Sequence, residues 1–145
     1  MLKIKVVTPE RIVFEDEVNS LSTMTSMGEI TILPGHVPLV ANLRAGETVL
    51  RKKGKEDELL ATSTGFVEVR NGQEVIILAD TAERVEELEL EQIEQARARA
   101  QQLLEEKRHA DDISFADAAA LLERELARYK VALKAKKYRQ RPLSK

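Results

Sequence analysis

The chain has no cysteine, no tryptophan and only five aromatic residues, three Phe and two Tyr, in 145. Without cysteine there are no disulfides and no thiolate chemistry, which fits a reducing compartment. An aromatic content of 3% leaves the core to Val, Ile, Leu and Ala, and a hydrophobic content of 43% can supply it. No run of about 18 apolar residues exists, so no segment is expected to span or insert into a bilayer. The N-terminus lacks the uninterrupted apolar stretch of a secretory signal. The two histidines, His36 and His109, fall in different predicted domains, and no cysteine joins them, so no zinc site is expected. No GxSxG elbow, GxxxxGK[ST] phosphate loop or GxGxxG fingerprint occurs, and no catalytic residues are assigned. A net charge of −2 argues against nucleic acid as a partner.

What is present is unevenly spread. Residues 83–106 hold eight acids (Glu83, Glu86, Glu87, Glu89, Glu91, Glu94, Glu105, Glu106) against three bases. Residues 124–145 hold nine bases, from Arg124, Arg128, Lys130 and Lys134 onward, against the single acid Glu125. Such asymmetry points to an interaction surface. The first helix's acids and the second's terminal bases also suit the helix dipoles.

The hydrophobic period changes as well. Up to about Ala82 it is two: Leu2, Ile4 and Val6 face one way, Val49 and Leu59 mark further strands, and Phe66, Val67 and Val69 another. Val75–Leu78 is a continuous apolar run, as in a strand buried on both sides. Ala45-Gly46, Lys53-Gly54-Lys55 and Asn71-Gly72 supply turns, and Asn-Gly is a strong hairpin signal because both residues accept positive φ. About ten short strands at this spacing predict a β sandwich over residues 1–84. From about Val85 the period is helical. Ile93, Ala96, Ala100 and Leu103 form one stripe; Phe115, Ala119, Leu122, Leu126, Tyr129 and Leu133 form another. Between them Arg108–Asp112 reads as a tight polar turn, and Ser114 with Asp117 as a capping box, with Asp112 a competing cap. Residues 85–145 are therefore expected to form an antiparallel α-helical hairpin. Its alanine-rich seam buries little area, so the hairpin is a plausible moving part or a docked tail.

One stretch is more specific than pattern. Gly28–Leu39 reads GEITILPGHVPL: a half-buried strand, broken by Pro34-Gly35, with Pro38 holding the returning chain extended. It resembles the GxLxILPGHxPL signature of the ε subunit of the rotary F-type ATP synthase. Val6-Val7-Thr8-Pro9, Thr64–Val69, Val75–Glu83 and Asp112–Val131 resemble further family segments in the family's order, so the likeness covers nearly the whole chain.

The resemblance implies a non-catalytic central-stalk subunit, peripheral on the cytoplasmic face of a bacterial plasma membrane. In the family the sandwich binds the γ subunit and the c ring, coupling proton flow to ATP synthesis. Glu29 and His36 are the matching contact positions for the c ring and γ. The hairpin folds on the sandwich or extends along γ toward the α and β subunits, where it inhibits ATP hydrolysis. Arg124, Arg128, Lys130 and Lys134 suit the acidic segment the family's β subunit presents, and in the folded form the acidic first helix offsets part of their charge. Some members bind ATP through [IL]DxxRA at the hairpin's start. Here Leu88 fits that motif, Glu89 replaces Asp, and Gln92 replaces the phosphate-reading Arg. Arg99 remains, but loss of the guanidinium removes most of the charge complementarity, so weak nucleotide binding is expected. No cofactor is assigned. Two other classes fit the residues: a stand-alone regulatory nucleotide-binding module, separable by calorimetric titration, and a β domain with a coiled-coil oligomerisation tail, separable by light scattering.

Overall fold

Ten strands and two helices make up the computed structural model, which describes residues 1–85, 90–108 and 112–140, with side chains over 1–85, 92–108 and 113–134. The strands are β1 (Leu2–Val7), β2 (Ile12–Val18), β3 (Ser20–Thr25), β4 (Gly28–Ile32), β5 (Leu39–Leu43), β6 (Gly46–Arg51), β7 (Glu58–Thr62), β8 (Gly65–Arg70), β9 (Glu74–Ala79) and β10 (Ala82–Arg84). Helices α1 (Leu90–Glu106) and α2 (Asp112–Gln140) follow and pack against each other. The architecture is the expected sandwich followed by a helical hairpin.

The strands run β10-β7-β6-β3-β5-β8-β9-β1-β2, with β4 on the free side of β3. β3 joins β5 through one residue pair, Thr25 with Leu43, so the sheet folds over there into two layers. One layer holds β4, β3, β6, β7 and β10; the other holds β5, β8, β9, β1 and β2. All pairings are antiparallel except β1 with β9. The two far edges meet where Arg84 on β10 donates from Nε to the Val13 carbonyl on β2 at 3.2 Å. Its guanidinium also lies 5.4 Å from the centre of the Phe14 ring.

Alternation places Leu2, Ile4 and Val6 inward, against Val67, Val69, Val75 and Ile77 of the same layer and Leu21, Ile32, Leu50 and Leu60 of the other. One end of this core is polar: Thr23 and Thr48 share a hydrogen bond of 2.7 Å, and Thr48 and Thr62 one of 3.1 Å. Each buried hydroxyl thus has a partner, which removes the cost of desolvating it. At Asn71-Gly72 both residues are left-handed, with φ 51° and 65°, and form the centre of a β-turn in which the Gln73 amide donates to the Arg70 carbonyl at 3.2 Å; the ladder closes at Arg70 with Glu74, so the loop holds three residues.

Three local expectations are corrected. Val75–Leu78 is not buried on both sides: Val75 and Ile77 enter the core, Ile76 is half-buried, and Leu78 is 51% exposed. Ser114 is not a helix cap, because α2 already includes Asp112. The buried line of α2 is shifted from the predicted stripe. Ala118, Glu125, Ala127, Val131 and Ala132 are buried, whereas Phe115 is exposed and Leu122, Leu126, Tyr129 and Leu133 are half-buried. The cause is that α2 has two partners, α1 and the outer face of β6 and β7, and its buried line lies between them.

Candidate functional site

The two outer faces of the sandwich differ. On the β6–β7 side, Val49, Leu59 and Ala61 point outward and are covered by Val131 of α2, with Val85 packed alongside. On the other side the register aligns Asn42, Phe66, Leu78, Val7 and Ile12 in one row across β5, β8, β9, β1 and β2. Phe66, Leu78 and Ile12 are each about half exposed. The next row is Val40, Glu68, Ile76, Lys5 and Glu15, and the third, beyond β5, is Arg70, Glu74, Lys3 and Glu17. The face is thus an apolar band at one end that grades into a lattice of alternating charge. Within that lattice Arg70 donates to both oxygens of Glu68, at 2.8 and 3.0 Å, and holds the carboxyl below its usual pKa. The apolar row spans three inter-strand gaps from β8 to β2, about 14 Å at roughly 4.8 Å each. Contiguous exposed apolar surface of this kind marks an interaction site.

Glu29 is exposed on β4 beside the Ser26-Met27 turn, where Met27 is 92% exposed. His36 lies past the other end of β4, half-buried, with Nδ1 2.7 Å from the Val37 carbonyl oxygen. The Gly35 amide donates to the Gly72 carbonyl at 2.7 Å, tying this loop to the β8–β9 hairpin. The length of β4 therefore separates the two predicted contact residues, and a partner touching both must reach along the sheet.

The bases of α2 meet acids. Arg128 donates from Nε to Glu83 at 2.6 Å and from a terminal nitrogen to Glu125 at 2.7 Å. Burial opposes the charge on Arg128, but the hydrogen bonds of Glu83 and then Glu125 outweigh it and raise its pKa above the ordinary arginine value. Arg124 reaches the buried Glu125 at 3.3 Å, and Lys134 reaches Glu47 at 2.5 Å. Lys130 is exposed. Among the described residues, the acids these bases meet are Glu47 on β6, Glu83 on β10 and Glu125 of α2 itself; the acids of α1 are not among them.

Of the nucleotide-motif positions, Leu88 and Glu89 lie outside the described residues, as does His109. Gln92 is exposed, and Arg99 is exposed with its Nε turned back to the Gln95 carbonyl at 3.4 Å. Among the described residues no group of three His, Asp or Glu could hold a metal ion. The apolar row escaped the sequence reading. Its one signal was the unbroken Val75–Leu78 run, in which Ile76 and Leu78 are apolar without being needed by the core.

Known proteins share this architecture. A family model described as the β-sandwich domain of the ATP synthase delta/epsilon chain matches residues 1–85. The chain is similar to the ATP synthase epsilon chain of Moorella thermoacetica, 42% identical over 131 residues that cover 90% of this chain and 96% of that one. It is 40% identical over 139 residues to the ATP synthase epsilon chain of Dehalococcoides mccartyi, covering 96% and 97% of the two chains. In fold it is similar to a chain of the Euglena gracilis mitochondrial ATP synthase structure containing OSCP, F1 and the c-ring. That match has a TM-score of 0.73 and 20% identity, over 93% of this chain and 80% of that one. A chain of the Tetrahymena thermophila mitochondrial central stalk and c-ring gives a TM-score of 0.56 at 16% identity, covering 92% and 95%.

Proposed function

Since the chain belongs to the ATP synthase delta/epsilon family, we propose that it is the non-catalytic rotor subunit joining the γ subunit to the c ring of a proton-translocating F-type ATP synthase. The observation that carries this reading is the contrast between the two outer faces. One is covered by the chain's own α2, and the other leaves Phe66, Leu78, Val7 and Ile12 in a row that no helix among the described residues covers. An apolar face of that kind suits an obligate neighbour in a stalk, and γ is the neighbour we assign to it. Glu29, exposed beside the Met27 turn, is assigned to the polar loops of the c ring. His36 on the opposite loop is assigned to γ or the c ring. The hairpin is assigned to inhibition of ATP hydrolysis, with Arg124, Arg128, Lys130 and Lys134 meeting an acidic segment of the β subunit when it extends. Among the described residues no helix is long and apolar enough to cross a membrane, which is compatible with a peripheral place on the cytoplasmic face of the bacterial inner membrane.

The test is co-purification. The wild-type chain should bring down γ and c subunits from membranes. Phe66→Glu with Leu78→Glu places two carboxylates on half-exposed positions, so the isolated chain should still fold, but γ should be lost from the pull-down. Undiminished recovery of γ would move its docking site elsewhere.

A further inference from the structure

The contact between α2 and the sandwich has a matched spacing. Glu83 on β10 and Glu47 on β6 both pair across the sheet with Ala61 on β7, so the three stand in one row on the outer face. Two inter-strand gaps put the carboxylate-bearing positions about 10 Å apart. On α2, Arg128, Val131 and Lys134 recur every three residues on one side of the helix. At 1.5 Å per residue, Arg128 and Lys134 are about 9 Å apart along the axis. Arg128 meets Glu83, Lys134 meets Glu47, and Val131, fully buried, sits between them in the pocket of Val49, Leu59 and Ala61.

Two of these three contacts use bases that the function proposed above assigns to an outside acidic surface. The Arg124–Glu125–Arg128 cluster is local to the helix and travels with it. The pairs to Glu83 and Glu47 bridge 45 and 87 residues of chain and are lost when α2 leaves the sandwich. We infer that Glu47 and Glu83 form an internal clasp that competes with the outside acidic partner for Arg128 and Lys134, so that the sandwich itself sets how readily the hairpin is released. The inference rests on the inhibitory role proposed above for its consequence in the assembled enzyme, but not for the clasp itself. The four charged side chains are each between a quarter and two-fifths exposed, so salt screens both pairs. The seat of Val131 is apolar and is not screened. Raised salt therefore weakens two points of the clasp and leaves the third.

Hydrogen exchange on the isolated full-length chain tests the clasp. Glu47→Gln with Glu83→Gln removes the sandwich charges and keeps both bases of the helix. At about 20 mM salt, amides of residues 125–134 should exchange about tenfold faster than in the wild type, while those of β1, β8 and β9 hold. At about 0.5 M salt the wild type should approach the variant. Lys134→Gln, which leaves the sandwich untouched, should give a smaller acceleration of the same segment. Unchanged exchange in both variants at low salt would overturn the clasp. In the assembled enzyme, the double variant should lower steady-state ATP hydrolysis severalfold, because the freed bases reach their partner more often. Faster exchange with unchanged hydrolysis would support the clasp and reject the inhibitory role; slower hydrolysis supports both.

Discussion

Gly65 shows how one residue holds the sheet together. It starts β8 opposite Leu43 on one side and Ala79 on the other. A β-carbon added there would lie 1.9 Å from the Leu78 carbonyl oxygen and 2.8 Å from the Ala79 α-carbon, both backbone atoms that no rotamer change can clear. Gly65→Ala must therefore push β8 away from β9, the strand that carries Val75 and Ile77 into the core. The expected cost is about 3 kcal/mol, at the upper end for overpacking. Urea unfolding of the full chain measures it, and a midpoint equal to wild type would contradict the tight approach. Phe66, the next residue, has the opposite character: its ring is half exposed, and its substitution should affect binding before stability. Adjacent positions on one strand thus serve the fold and the surface separately, because side chains alternate across the sheet.

Among the elements, α2 has the most divided allegiance. It packs on α1, with Arg97 4.4 Å from the centre of the Tyr129 ring, and on β6 and β7, with Val131 seated against Val49, Leu59 and Ala61. Burying Val131 stabilises the docked state by about 2 kcal/mol, while a partly exposed ion pair contributes about 0.2–1 kcal/mol. The apolar seat therefore anchors the helix, and the ion pairs set its register and its response to salt. The strands need less from the hairpin than it needs from them. Their core is built from residues before Val85, and Arg84 already closes the sheet onto β2. A chain ending after residue 85 should accordingly give a cooperative thermal transition and a β-type far-ultraviolet spectrum. It should be less stable than the full chain by about the Val131 contribution, since Val49, Leu59 and Ala61 become exposed. A disordered spectrum would show that the hairpin is part of the folding unit.

At the scale of the whole molecule, the faces and ends of the sandwich differ in what they leave exposed. The α2-covered face is self-satisfied, the Phe66–Ile12 row is the face proposed for γ, and the turn beside Glu29 is the end proposed for the c ring. Glu29→Arg changes an exposed side chain on β4, so folding should be preserved. It reverses the charge at the contact proposed for the c ring, and like charges at a close interface can cost several kcal/mol. Proton pumping driven by ATP in membranes carrying this variant should fall well below wild type at equal assembly. Full pumping would remove Glu29 from the contact.

The sequence alone determined what depends on near neighbours in the chain. Alternation in Leu2–Val6 and Val67–Val69 specified strands and their inward faces. Asn71-Gly72 specified a hairpin, because only residues tolerant of positive φ make that turn, and the three- and four-residue stripes specified two helices. The GEITILPGHVPL word carried the family, whose model and relatives then matched. Periodicity says that a face is apolar, but not which element covers it, and the rest follows from that limit. Val49 and Leu59 read as strand residues of the sandwich, yet they belong to the seat of α2. Leu78 read as buried, yet it lies on the bare face. Arg128 and Lys134 read as bases seeking acids, and only the folded chain decided that they meet Glu83 and Glu47. Those pairs form across 45 and 87 residues, a separation over which chain order carries no geometric signal and only packing sets the distance.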